Sequence, residues 1–168
     1  MANKRAVIPD LISSMLQVEV GNRCPLCGVF ERTGNEFTDH HINHDPSISE
    51  FWNLIQICQP CHDDLTKNKN DGTRLKRVRQ IKLRLFRNYF GPEAYKALYL
   101  AYKNNLVTAT PITALELVRR GYLKMYTENI LTVGPATNVS TFDTYTITVP
   151  GKEIVEKLGI DIINAPAV

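Results

Sequence analysis

All four cysteines and all four histidines of this 168-residue chain fall between Cys24 and His62. The cysteines form two Cys-x-x-Cys pairs, Cys24/Cys27 and Cys58/Cys61. One such turn brings two sulfurs within reach of a single ion, and two complete the tetrahedral four-thiolate shell that zinc prefers. Pro25, Gly28 and Pro60 suit the tight turns this requires. The alternatives are two disulfides or four buried thiols. Disulfides are disfavoured in a chain with no signal-peptide pattern, because intracellular thiols are kept reduced. The spacing therefore predicts a structural Zn²⁺ held by Cys24, Cys27, Cys58 and Cys61. Residues 28–57 separate the two pairs. That gap exceeds the usual ribbon spacing, so a segment is inserted between the knuckles.

The insert holds a different kind of chemistry. Glu36 to Ile42 reads as a short strand, preceded by a Gly34-Asn35 turn. Near its end stand His40 and His41, which point to opposite faces while the backbone stays extended. One could then ligate a metal while the other faces solvent or substrate. Asn53 and His62 follow in order, and His62-Asp63-Asp64 opens a helix whose acidic residues suit a positive N-terminus. Strand, strand, loop and helix, carrying His, Asn and His, describe a metal site set in a small ββα unit.

Four fragments, CPLC (24–27), DHHI (39–42), NLIQIC (53–58) and CQPCH (58–62), resemble the HNH endonuclease family. The subtype is the one whose ββα-metal core is braced by a four-cysteine zinc, and the resemblance covers residues 10–70. It implies that His41, just before Ile42, is the general base. It implies that His40 binds a catalytic divalent ion, Mg²⁺ or Mn²⁺, that Asn53 orients the base, and that His62 binds the metal or the scissile phosphate. A second register makes Asp39 the ligand and His40 the base; Ile42 in the apolar slot after the base favours the first. Leu65 and Thr66 occupy the turn after His62, so the third protein ligand is open and water is a candidate for the place. His44 and Asp45 read as solvated loop residues. The chemistry so implied is phosphodiester hydrolysis. A neutral imidazole takes a proton from water, while the ion polarises the phosphate and neutralises the departing 3′ oxygen. Asn53 is expected to bond one ring nitrogen of His41. The rival from another class is a non-catalytic zinc-ribbon DNA-binding protein, which needs the cysteines but has no use for His41 or Asn53.

These residues need elements to hold them. A hydrophobic content of 43% supports one compact domain or two small ones. The chain has no apolar run near 18 residues and no signal-peptide pattern, which predicts a soluble, cytoplasmic protein without a membrane partner. A phage or mobile-element origin fits as well, and the oligomeric state is not specified. Pro9 to Glu19 places Leu11, Ile12, Met15 and Leu16 at helical spacing, as a helix packed on the zinc module. Ser47 to Trp52 reads as a loop, with Trp52 a packing residue.

The net charge is only +3, so its distribution matters more than its sum. After a polar break at 68–72, residues 73–90 form a helix with the apolar stripe Leu75, Val78, Ile81, Leu85 and Tyr89. Arg74, Lys76, Arg77, Arg79, Lys82, Arg84 and Arg87 load that helix with positive charge and no acid. Such a face beside a phosphodiesterase site predicts contact with DNA phosphates. Gly91-Pro92 ends it. Helices are predicted over 93–105, with a tyrosine stripe in the core, and over 110–121, with Thr110 as cap. Strands at 122–127 and 142–149 make a hairpin around Gly134-Pro135, and 150–158 is a last helix. This C-terminal order resembles a winged-helix module; a packing appendage or a dimerisation surface are the alternatives. The whole is an α+β protein: a zinc-braced core (1–72), a basic linking helix (73–92) and a helical region with a β-hairpin (93–168).

Overall fold

In the computed structural model, residues 6–34, 36–127 and 142–161 are described. Asn35 of the predicted first turn and Gly134-Pro135 of the predicted hairpin lie outside them. The chain is α+β, as predicted, and divides into two units, Met1–Tyr89 and Phe90–Val168. The basic helix, read from sequence as a separate linking segment, thus belongs to the first unit through Tyr89.

The first unit is built on an antiparallel ribbon of β1 (Phe37–His41) and β2 (Leu54–Cys58). Its register runs from Phe37 opposite Cys58 at one end to His41 opposite Leu54 at the other. β2 is buried on both faces, with Leu54, Ile55 and Ile57 fully enclosed. A continuous apolar run is what such a doubly covered strand requires. Helix α1 (Asp10–Val20) packs against β2 through the side that carries Met15 and Leu16. Helix α2 (Gln59–Lys67) begins straight after Cys58, with Pro60 in its first turn where no N–H is needed. Helix α3 (Gly72–Phe90) is capped by Asp71, whose Oδ1 accepts from the N–H of Thr73 at 2.9 Å and of Arg74 at 3.2 Å. Ile42, Ile55, Ile57, Leu65, Val78 and Ile81 close into one core with Cys24 and Cys58. Each such aliphatic side chain contributes roughly 1.5–3 kcal/mol on burial. Ser47 to Trp52 is a loop that tightens into a single 3₁₀ turn, Phe51–Asn53.

Lys82 corrects the reading of α3. It is fully buried, its Nζ donates to Glu19 Oε2 at 2.6 Å, and it stands 3.6 Å from the centre of the Phe51 ring. Lys82 is therefore an internal tie between α1 and α3 and not a phosphate contact. Burial raises the Glu19 carboxyl and lowers the Lys82 ammonium, and each is partly restored by the other's charge. The sequence carried a signal for this: Val78, Lys82 and Phe86 follow at intervals of four along the buried side.

In the second unit, α4 (Pro92–Asn104), β3 (Leu106–Ala109), α5 (Pro111–Arg119), β4 (Leu123–Thr127), β5 (Asp143–Ile147) and α6 (Val149–Leu158) follow in order. β4 and β5 pair antiparallel, as the hairpin reading requires, and β3 joins β5 from the other side. β3 was not predicted; four residues alternating exposed and buried are too short a pattern to separate from a loop. Thr110 caps α5 as expected, accepting from Thr113 N–H at 3.2 Å. Gly151 in α6 is required by close packing, since a Cβ there would lie 2.1 Å from the carbonyl oxygen of Tyr122. No helix among the described residues is long and apolar enough to cross a membrane.

Candidate metal centre and histidine pocket

The first Cys-x-x-Cys pair sits on a small hairpin. Arg23 bridges Phe30, Cys24 N–H donates to the Val29 carbonyl at 2.8 Å, and Glu31 N–H donates to that of Asn22 at 2.9 Å. Gly28, at φ +77°, makes the turn. The second pair spans a junction, with Cys58 ending β2 and Cys61 in the first turn of α2. All four cysteines are free thiols, and their sulfurs lie within 4.8 Å of one another. Cys27 and Cys58 sulfurs are 3.6 Å apart.

The electrostatics of this cluster favour a cation. Burial alone raises the Cys24 thiol, but backbone N–H groups of Cys58, Cys27 and Leu26 bring it down to about 7. Burial pushes the Cys58 and Cys61 thiols up, and their sulfur neighbours push Cys61 further. One thiolate therefore forms readily and the next are opposed. A divalent ion removes that opposition. The donor set fits a closed structural metal site of the zinc type.

At the other end of the ribbon, His40 stands opposite Ile55 and His41 opposite Leu54, both buried. Asp39, His40, His41, His44, His62, Thr66 and Lys69 line one open pocket of about 340 Å³. The first turn of α2 that carries Cys61 into the thiol cluster also carries His62 to this pocket. Its ring centre lies 5.2 Å from that of His40, edge to face. His44 approaches His40 in the same way, also at 5.2 Å. Burial first, then the neighbouring His44, His62 and His41, press the His40 pKa down to about 4. His40 is thus a neutral electron-pair donor at physiological pH. Burial and the ammonium of Lys69 lower His44 as well.

Asn53 is fully buried, but it serves a different purpose from the one predicted. Its Oδ1 accepts from Asn43 N–H at 3.0 Å and its Nδ2 donates to the Ile48 carbonyl at 2.9 Å. Its own carbonyl accepts from Ile42 N–H at 2.7 Å. In place of the expected bond to the His41 ring, the amide clasps the 42–48 loop. Its hold on the histidines passes through the backbone. His44, read from sequence as a solvated loop residue, is placed in the pocket by this clasp. Its N–H donates to the His41 carbonyl at 2.9 Å, and its φ is +59°. The crowding of all four histidines into 40–62 was the available signal.

The two clusters differ in assembly. Among the described residues, only the four cysteines gather three or more Cys, His, Asp or Glu donor atoms within 4.8 Å. Asp39, the ligand of the second register, lines the pocket with Oδ1 buried and accepting no hydrogen bond among the described residues.

The positive charges of α3 also sort themselves. Lys76, Arg77, Arg79 and Arg84 are exposed and Arg87 is half-buried. Arg74 is committed to the α2–α3 joint, bonding Asp64 and, at 3.1 Å, Asp71 Oδ2. Lys76, Arg77, Arg84 and Arg87 fall within about 100° of the helix circumference. Comparison with protein-family models, curated proteins and solved structures yields no match.

Proposed function

We propose that this protein is a metal-dependent DNA endonuclease of the HNH type, hydrolysing phosphodiester bonds with His41 as general base and one divalent ion. One observation carries the reading: Asp39, His40, His41 and His62 border a single open pocket, at the other end of the ribbon from a four-thiol cluster. A β1–β2 ribbon followed directly by α2 is the frame the proposal requires, and the sequence order of these residues matches it.

His40 and His62 would hold the divalent ion, with Asp39 as an oxygen donor within the same pocket. Bound there, the ion supplies polarisation of the phosphate and neutralises charge on the leaving oxygen. His41 accepts the proton of the attacking water. The low proton affinity of His40 favours that division of labour, because a base must hold a proton near neutral pH. Lys69 brings a positive charge to the pocket wall for the substrate phosphate. The exposed side of α3 supplies non-specific attraction for the duplex backbone.

The test is incubation of zinc-loaded protein with supercoiled plasmid and Mg²⁺ or Mn²⁺, followed by mapping of the ends. Nicked or linear DNA with defined termini is expected. DNA binding without cleavage under any divalent ion would leave the zinc-ribbon binding protein in its place.

A further inference from the structure

We infer that His44 is a third protein ligand of the divalent ion, and that the resulting three-imidazole site selects a transition-metal ion such as Mn²⁺ or Co²⁺ over Mg²⁺. The inference rests on the nuclease reading for the ion's place at His40 and His62. Three separate features bring His44 into it.

The first is backbone strain. A non-glycine residue at φ +59° costs free energy and persists only where its surroundings hold it. Here the holding groups are explicit. The His41 carbonyl takes the His44 N–H, and the Asn53 amide fixes Asn43 before it and Ile48 after it. A fully buried asparagine is thereby spent on the turn that aims His44. Glycine or asparagine would adopt the turn more cheaply, so the turn itself does not call for an imidazole.

The second is ring separation. A metal–nitrogen bond is about 2.0–2.1 Å. Adding the distance from nitrogen to ring centre, two imidazoles on one ion at a tetrahedral angle have centres roughly 5 Å apart. Both His44 and His62 stand 5.2 Å from His40. The nitrogens are not yet gathered as the sulfurs are, but turning a histidine ring about χ2 moves its nitrogens while leaving its centre almost in place. That torsion is broad and inexpensive.

The third is the setting. The three rings line the same open pocket, with Asp39 beside them. Open space next to the donors is what a catalytic ion needs for water and substrate. Three imidazole donors suit Co²⁺ or Ni²⁺ best and hold Mn²⁺ above Mg²⁺, which favours oxygen and keeps its waters.

The experiment titrates full-length protein, prepared with one zinc per chain for the four thiols and no excess, with Mn²⁺, following free Mn²⁺ by electron paramagnetic resonance, with Mg²⁺ as competitor. The variants are His44→Gly and His40→Ala. Glycine adopts φ +59° without strain, so His44→Gly separates loss of a ligand from loss of the fold, and zinc content checks the latter. The wild type should hold Mn²⁺ against an excess of Mg²⁺. His44→Gly should keep its zinc and bind Mn²⁺ about tenfold or more weakly. Unchanged Mn²⁺ affinity in His44→Gly, with loss in His40→Ala, would overturn the role of His44 and leave the nuclease reading intact. Displacement of Mn²⁺ by an equal concentration of Mg²⁺ would overturn the selectivity. Absence of Mn²⁺ uptake by the wild type overturns the inference, and plasmid cleavage by that same protein then shows whether the nuclease reading survives it.

Discussion

The two ends of the β1–β2 ribbon solve different problems with similar means. At the Cys58 end, four sulfurs from a hairpin, a strand and a helix are already within one ion's reach, enough to fill a tetrahedral shell. At the His41 end, the imidazoles line an open pocket, with the rings of His44 and His62 each 5.2 Å from that of His40. Side-chain chemistry accounts for part of this. Neutral thiols bury as small apolar groups and pack well with Ile57 and Leu65, whereas imidazoles keep polar nitrogens that need partners or water. Closure suits a metal that holds a fold, and openness suits one that must exchange ligands. His62 links them, since it follows Cys61 in the chain and faces His40.

The largest expected effect comes from breaking the closed end. Cys58→Ser removes a buried ligand, and in small zinc modules the metal contributes about 10–16 kcal/mol of apparent binding energy to folding. The variant should lose zinc and the cooperative melting of the first unit, as followed by metal analysis and circular dichroism. Retained melting behaviour without zinc would mean that the thiols are ordinary core residues.

A change outside both clusters sharpens the contrast. Lys82→Ala leaves the Glu19 carboxylate buried without its partner, beside the vacated space on Phe51. Destabilisation of about 3–5 kcal/mol is expected in urea unfolding, with zinc retained. The double variant Glu19→Gln/Lys82→Met should recover most of that loss, because no unpaired charge is left inside.

The reach of the sequence differed between regions for physical reasons. The cysteine cluster was legible because two Cys-x-x-Cys turns restrict sulfur geometry locally. The first strand, expected at 36–42 and found at Phe37–His41, was legible; the helix expected to open at His62 starts three residues earlier, at Gln59, because Pro60 suits a first helical turn as well as a cysteine knuckle. The destination of Asn53 was not, since its partners are backbone groups of Asn43 and Ile48, and no side-chain pattern marks them. The place of His44 is hidden because a turn residue at positive φ looks, in sequence, like any polar loop position. Lys82 is hidden in sequence because its charge masks its place on the buried side between Val78 and Phe86. In the second unit β3 is short, and its pairing to β5 depends on residues more than thirty positions away, which local patterns do not encode.

A smaller effect is expected on the outer side of α3. Arg77→Ala with Arg84→Ala removes two exposed cations from the basic arc and should leave melting nearly unchanged. Affinity for unrelated DNA duplexes should fall to a similar extent for each. The slope of log affinity against log salt should be shallower by about two, one for each phosphate that is no longer neutralised. An unaltered slope would assign this face to solvent.

The central claim is that the open end of the ribbon performs chemistry, and His41 is where it is most exposed to test. The measurement is the rate of plasmid cleavage by His41→Ala beside the wild type, under the divalent ion that best supports the wild type, with DNA affinity and zinc content determined on the same samples. A general base acts on water in the transition state and adds little to ground-state binding. The account predicts a rate lower by on the order of a hundredfold or more, with affinity and zinc close to wild type. Undiminished cleavage by His41→Ala, with His40→Ala inactive at every metal concentration, would contradict it and move the base to His40, with Asp39 as the ligand.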